Sequence, residues 1–349
     1  MRIKKLQKRL GKIDLVLFFS LDETPNTNMR YYANYSGLGV LAITKRNSFI
    51  VTPEMEYEKA LKTGLKIFHT DKKKKILETL SLVLRRKKIK KIGIEENKIT
   101  LNVYKKLRKA VKGRYVDISD IASKQRMVKE SKELMYIEKA CYVTDRVFSR
   151  IIKNFNFKTE LELRKFILQE IKESNCEIAF PPIVASGKHS SMPHYDSSGR
   201  IGKGFLMLDF GAMYNGYCSD MTRMIYLGEA SDRELSNYNL VLNAVLHCQN
   251  GVMEKRKFSD LYDLALENLG EKAEYFTHAL GHGLGLDIHE PPSLYSEDKN
   301  KIQDNITFTV EPGIYFSGRY GIRIEDTVVV KNGKLKILTK SPKELTIIR

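Results

Sequence analysis

Phe205-Leu206-Met207-Leu208-Asp209-Phe210-Gly211-Ala212-Met213-Tyr214-Asn215-Gly216-Tyr217-Cys218-Ser219-Asp220-Met221-Thr222-Arg223-Met224-Ile225 sets Asn-Gly between two strand-forming runs. Asn-Gly accepts the left-handed backbone of a two-residue hairpin turn, so the stretch reads as a tight hairpin. That turn makes Tyr214 face Tyr217, Gly211 face Asp220, and Asp209 face Thr222. Asp209 and Asp220 then leave the same face as diagonal neighbours, within ~8 Å of each other. Gly211 contributes no side chain and leaves room between them. Two carboxylates so placed cost stability unless something positive sits between them.

The arrangement recurs downstream. Glu311 lies in Phe308-Thr309-Val310-Glu311-Pro312-Gly313-Ile314-Tyr315 and Glu325 in Gly321-Ile322-Arg323-Ile324-Glu325-Asp326. A hairpin centred near Gly318 sets Glu311 directly opposite Glu325, the worst position for like charges lacking a counter-ion. Both acidic pairs ask for a cation.

Between the hairpins runs His278-Ala279-Leu280-Gly281-His282-Gly283-Leu284-Gly285-Leu286-Asp287-Ile288-His289-Glu290-Pro291. Histidines among glycines suggest backbone held close against a neighbour with imidazoles converging. Spacing alone does not say which of them binds metal. Asp209, Asp220, Glu311 and Glu325 carry charge that two divalent cations neutralise, and one imidazole completes a mostly oxygen donor set. Such a set suits manganese, cobalt or ferrous iron, admits zinc and excludes soft metals. Two ions ~3.5–4 Å apart can hold one bridging hydroxide and polarise a carbonyl. No Ser-His-Asp arrangement, reactive cysteine or Gly-Lys-Ser/Thr loop competes.

Outward from this centre, the 349 residues exceed the size of one ordinary core, so two domains are expected. Residues 1–125 alternate strands (near 14–20, 40–44, 49–52, 66–70 and 91–95) with helices (near 54–63, 72–86 and 101–111), the pattern of an α/β domain. A charged segment, 123–133, leads into a long helix to about Asn154, and a second helix covers 160–173. Residues 126–349 hold the acidic hairpins. No apolar run approaches the ~20 residues of a membrane span. Leu15–Phe19 is too short for a signal-peptide core and is followed by Asp22-Glu23, so the expected compartment is the cytoplasm. Cys141, Cys176, Cys218 and Cys248 lack any C-x-x-C spacing and read as buried thiols. The net charge of +18 gathers in Lys72-Lys73-Lys74-Lys75, Arg85-Arg86-Lys87-Lys88 and residues 105–112, beside apolar helix faces. These are read as solvated faces, and a nucleic-acid partner is disfavoured.

The combined motifs resemble the creatinase/prolidase/aminopeptidase P branch of the pita-bread metallopeptidases, over essentially the whole chain. They are Ile183-Val184-Ala185-Ser186-Gly187 with Pro193-His194, Asp209-Phe210-Gly211 with Ser219-Asp220-Met221-Thr222-Arg223, Gly281-His282-Gly283 with His289-Glu290, Glu311-Pro312-Gly313, and Arg323-Ile324-Glu325-Asp326. The resemblance implies an α+β chain: a smaller α/β creatinase-type domain before a C-terminal pita-bread domain. It implies Asp209, Asp220, His282, Glu311 and Glu325 as ligands of two divalent ions, manganese or cobalt first, iron or zinc after them. It implies His194 and His289 lining the substrate pocket, Glu311 also moving the proton, and Arg323 behind the ligands and near substrate. His278 falls at a further histidine position of the family, in a supporting or a direct role. The implied protein is a homodimer acting on short peptides with proline second.

An Xaa-Pro bond lacks the N–H that most proteases grip, and metal-assisted attack does not need it. Dipeptidases of this type place an arginine soon after the His-Glu-x-Pro stretch. Here Glu290-Pro291-Pro292-Ser293-Leu294 is followed by no basic residue before Lys299, which tilts the expectation towards an Xaa-Pro aminopeptidase. Methionine aminopeptidase-like activity and a non-catalytic pita-bread binding module are the alternatives.

Overall fold

A computed structural model describes residues 2–21, 25–70 and 75–349. Asp22-Glu23, the first three lysines of the 72–75 run and the start of the helix expected over 72–86 lie outside the described residues. The chain divides into two compact units, Met1–Arg126 and Met127–Arg349.

In the first unit the strands are β1 (Leu15–Ser20), β2 (Gly39–Thr44), β3 (Ser48–Pro53), β4 (Lys66–Thr70), β5 (Lys91–Ile94) and β6 (Arg114–Asp117). They form one sheet in the order β4-β3-β2-β1-β5-β6. The helices are α1 (Arg2–Arg9), α2 (Thr27–Ala33), α3 (Tyr57–Leu61), α4 (Ile76–Leu84), α5 (Leu101–Ala110) and α6 (Ser119–Met127). Leu15, Leu17, Val40, Ala42, Leu80, Leu84 and Leu107 are buried together between the sheet and α4 and α5. The lysines and arginines at 85–88 and at 105, 106, 108 and 109 stay exposed on the outer faces.

Several expectations change here. The segment expected as one helix over 54–63 starts as a 3-10 turn, Glu54–Glu56, before α3. Pro53 precedes it and contributes no N–H to a first helical turn. The charged segment from 123 is the end of α6 rather than a leader into the next helix. α1 and α2 were not expected, because Arg2–Arg9 is mostly basic and Thr27–Ala33 is rich in polar and aromatic residues. α2 is started by Asn26, whose side chain accepts from the Asn28 and Met29 amides.

The second unit begins with α7 (Ser131–Lys153) and α8 (Glu160–Glu173), followed by β7 (Glu177–Ile178), β8 (Ile183–Ser186), β9 (Gly204–Asp209), β10 (Ala212–Tyr214), β11 (Tyr217–Cys218) and β12 (Thr222–Leu227). Then come α9 (Asp232–Gly251) and α10 (Phe258–Leu269), β13 (His282–Gly283), β14 (Glu290–Ser293), β15 (Thr307–Val310), β16 (Gly313–Phe316), β17 (Tyr320–Arg323), β18 (Asp326–Lys331), β19 (Lys334–Ile337) and β20 (Thr346–Ile348). Two sheets dominate, β20-β12-β9-β8 and β14-β13-β15-β18-β19. Period-two alternation sorts the first sheet. Phe205, Met207, Met224 and Tyr226 join one core with residues of α9 and α10, while Leu206, Leu208 and Ile225 join another with α7 and α8. The four cysteines are buried with no disulfide between them. No described helix is long and apolar enough to cross a membrane.

Candidate metal centre

The first acidic hairpin keeps a single register along its length. Tyr214 pairs with Tyr217 and Asp209 with Thr222. The Ser219 amide donates to Ala212 O and the Phe210 amide to Met221 O, which brackets Gly211 opposite Asp220. Asn215 (φ 48) and Gly216 (φ 75) carry the left-handed turn. A Cβ at Gly211 would sit 1.8 Å from Ser219 O, so glycine is needed for the backbones to close here.

The second acidic pair is built from two ladders. Val310 pairs with Asp326 in β15–β18, and Gly313 with Arg323 in β16–β17. Both keep the register that puts Glu311 opposite Glu325 in the interruption at Pro312. His282 stands on β13 between β14 and β15. A Cβ at Gly281 would meet Thr309 O at 2.1 Å, which is how the histidine segment gets close enough.

Ligand-type atoms of Asp220, His282 and Glu325 lie within 4.8 Å of one another. The His282 Nδ1–H points at Gly283 O, 3.2 Å away, which leaves the Nε2 lone pair facing inward. Nε2 is 3.5 Å from Asp220 Oδ2 and 3.4 Å from Glu311 Oε1. Glu311 Oε1 also accepts from the Thr309 hydroxyl at 2.9 Å. Asp209 is turned by one oxygen: its Oδ2 accepts from Arg323 at 2.6 Å. Thr222 ties the hairpins together, donating to Glu325 Oε2 at 2.7 Å and accepting from Arg323 Nε at 3.0 Å.

Burial pushes the Asp220 and Glu325 carboxyls well above their usual range, and each is raised further by the neighbouring acids. Asp209 is also raised by burial, with Arg323 opposing and Glu311 adding to the effect. Asp209 Oδ1, Asp220 Oδ1 and Glu325 Oε1 are buried without a hydrogen-bond partner. Three partnerless oxygens and one inward imidazole nitrogen fit divalent cations. Such ions would supply the positive charge the carboxylates lack.

The remaining site residues take distinct places. His289 packs edge-on to His282 at 4.4 Å between ring centroids, and burial holds its imidazole below its usual pKa. His194 lines the same cavity, of about 1000 Å³, as the five acidic and histidine residues. Arg323 is buried, donating to Asp209, Thr222 and the Tyr315 hydroxyl. His278 donates from Nδ1 to Ala279 O at 2.8 Å and accepts from the Tyr315 hydroxyl at 2.8 Å. Burial lowers its pKa, and the ring braces Arg323 through Tyr315.

Tyr315, Thr222 and Thr309 were not singled out from sequence. Period-two counting back from Tyr315 reaches Gly313 and Glu311 on one face, a signal that was available. Arg164 of α8 and the buried Lys129–Glu290 ion pair (2.9 Å) also border the cavity or its rim, and no linear motif announces them.

The match to known proteins agrees with this geometry. The model of metallopeptidase family M24 matches residues 135–332, and that of the creatinase/prolidase N-terminal domain matches residues 2–128. The chain belongs to metallopeptidase family M24. Its architecture is the creatinase-type N-terminal domain followed by the pita-bread domain of that family, which implies divalent metal ions. An Xaa-Pro dipeptidase of Pyrococcus horikoshii is 32% identical over 354 residues, covering 99% of this chain and 98% of the relative. A dipeptidase structure from Pyrococcus horikoshii superimposes with a TM-score of 0.92 at 33% identity, covering 100% of both chains. The X-Pro aminopeptidase structure from Thermotoga maritima gives 0.89 at 29% identity, covering 98% of this chain and 99% of that one.

Proposed function

We propose that this M24 chain hydrolyses the bond before proline at the N-terminus of short peptides. The observation that carries the reading is the gathering of Asp209, Asp220, His282, Glu311 and Glu325, with oxygens left partnerless, at the floor of a cavity. These five residues would hold two divalent ions, and manganese or cobalt suits their mostly oxygen donor set. When bound, such ions supply a water nucleophile at neutral pH and a Lewis acid for the carbonyl.

The chain's own residues do the rest. Glu311 takes the proton of the attacking water and delivers it to the proline nitrogen as the C–N bond breaks. His194 and His289 hold the carbonyl oxygen as it gains charge in the tetrahedral state. Arg323 fixes Asp209, and the His278–Tyr315 pair fixes Arg323. Phe180, Ile288, Pro291 and Pro292 give the cavity an apolar wall against which a pyrrolidine ring can pack. The relatives named as Xaa-Pro peptidases and the N-terminal domain match support this over methionine aminopeptidase-like cleavage. The complete acidic set supports it over a binding module. We carry a cytoplasmic homodimer as part of the proposal.

The test is activity on a fluorogenic Xaa-Pro dipeptide and an Xaa-Pro tripeptide before chelation, after chelation, and after manganese or cobalt is restored. Turnover lost and regained supports the proposal. Full activity in chelator, or no cleavage of any Xaa-Pro substrate with metal present, removes it.

A further inference from the structure

Glu160 is a buried carboxylate outside the metal centre, with no part in the chemistry above. It stands at the first turn of α8, whose N-cap is Thr159. A carboxylate there gains from the helix dipole but needs no burial to do so. What buries it is the loop between β8 and β9. Glu160 Oε1 accepts from the Ser186 amide at 2.7 Å and lies 2.9 Å from His189 Nδ1. Oε2 accepts from the Ser198 amide at 3.0 Å and from the Gly199 amide. One side chain therefore holds the start, the middle and the end of a single loop.

That loop carries His194. Two further contacts show that the clamp reaches it. The His189 ring stacks on Tyr195, the neighbour of His194, at 4.5 Å between centroids. The Ser190 hydroxyl accepts from the Gly321 amide at 2.9 Å, fastening the loop to β17 two residues before Arg323. A Cβ on Gly199 would collide with the His189 ring, so the loop end is shaped around the same imidazole. Around His194 the loop has further anchors: Arg164 pairs with Asp196 at 2.7 Å, and the Ser197 hydroxyl accepts from the Val184 amide at 2.8 Å, while the Met192 side chain is exposed.

We infer that Glu160 is a positioning residue: it clamps the 186–199 loop so that His194 stands in the cavity before substrate arrives. This rests on the role proposed for His194, and it assigns Glu160 and His189 a task in turnover rather than in folding alone. Reacting groups displaced by ~1 Å lose activity on the order of 10²-fold. Glu160→Gln keeps the shape but turns an amide N–H₂ towards backbone donors, which opens the clamp.

The experiment is a double-mutant cycle on an Xaa-Pro substrate with wild type, Glu160→Gln, His194→Ala and the double variant, with metal content measured for each. The expected result is a loss in kcat/KM of order 10²-fold for Glu160→Gln with metal content unchanged. In the His194→Ala background the same change should cost less than about threefold. Equal losses in both backgrounds, no loss, or loss of metal in step with activity would overturn the inference. Where Glu160→Gln fails to fold, His189→Ala takes its place in the cycle, judged by the same coupling.

A second readout needs no activity. Amide hydrogen exchange on the metal-free variant should quicken across residues 187–199 and stay unchanged across 204–227. Unchanged exchange in the loop overturns the clamp. A wild type inactive on every Xaa-Pro substrate would remove the proposed function and leave the exchange result to decide the clamp by itself.

Discussion

Single side chains decide the chemistry, and three of them make separable predictions. Glu311 reaches His282 and accepts from the Thr309 hydroxyl, a light hold that lets it give and take a proton without dismantling the site. Glu311→Gln should reduce kcat by about 10²–10⁴-fold while circular dichroism stays native. Turnover near wild type would take Glu311 out of the scheme. Arg164 faces the cavity with one bond, from its guanidinium to Asp196 at 2.7 Å, whereas Arg323 is sunk behind the ligands. A guanidinium so lightly committed is suited to a substrate's free carboxylate, the role for which the motif after His289-Glu290 offers no arginine. Arg164→Ala should raise KM for an Xaa-Pro dipeptide roughly tenfold and leave KM for a longer, amidated peptide nearly unchanged. Equal effects on both substrates would return Arg164 to the surface. For Glu160, burial opposes ionisation, but the Ser186 and Gly199 amides and the His189 ring outweigh it and hold the carboxyl below its usual range. A depressed folded-state value means the contribution is complete above the unfolded pKa of about 4.3 and is lost as pH falls through the folded value. Wild type should therefore melt higher than Glu160→Gln at pH 7, with the gap closing below about pH 4. A gap constant down to pH 3 contradicts this.

At the scale of the element, strand register does the positioning, and register was legible in the sequence. Asn215-Gly216 fixed the first hairpin, and a turn at Gly318 fixed the second, because period-two pairing leaves no freedom once the turn is known. The glycine-rich histidine stretch could be read as close approach but not as a ladder: β13 is two residues long with a bulge, and its neighbours come from residues 290–293 and 307–310. Gly211→Ala should splay the first hairpin at its ligands, costing about 1–3 kcal/mol in urea unfolding and lowering metal content with it. Wild-type stability and metal content would show that the contact relaxes. Behind the site, Arg223 and Asp326 are both buried and joined at 2.6 Å, with Lys343 and Gln249 also on Asp326, which ties β12 to β18. Arg223→Met leaves Asp326 short of its main partner and should destabilise by about 3–5 kcal/mol. A change under 1 kcal/mol would mean that Lys343 suffices.

Across the whole molecule, two units with separate cores follow from length and from the change of texture along the chain. α1 is short and places Ile3 and Leu6 among basic residues, and α2 is started by the Asn26 side-chain cap, so neither carries a long apolar stripe. The four candidate acidic ligands could be found because acids among strand residues demand a cation, whereas the choice of His282 among the histidines came from the family resemblance alone. Tyr315 was within reach of period-two counting, but Glu160, Arg164 and Lys129 were not, because what gives them meaning is contact across more than a hundred residues or with a loop of irregular backbone. If the carboxylates wait for cations, metal stabilises the second unit alone. Saturating ion should add about 3 kcal/mol, so chelation should lower its melting transition by roughly 5–10 °C and leave the first unit's transition in place. Underlying all of this is the claim that the five residues share a pair of divalent ions. Its most direct test is the metal content of gently purified protein by mass spectrometry, for wild type and for Asp220→Asn with Glu325→Gln. The account predicts about two ions per wild-type chain and a large loss in the double variant. A metal-free wild type that cleaves Xaa-Pro substrates, or a double variant that keeps its full complement, would contradict it.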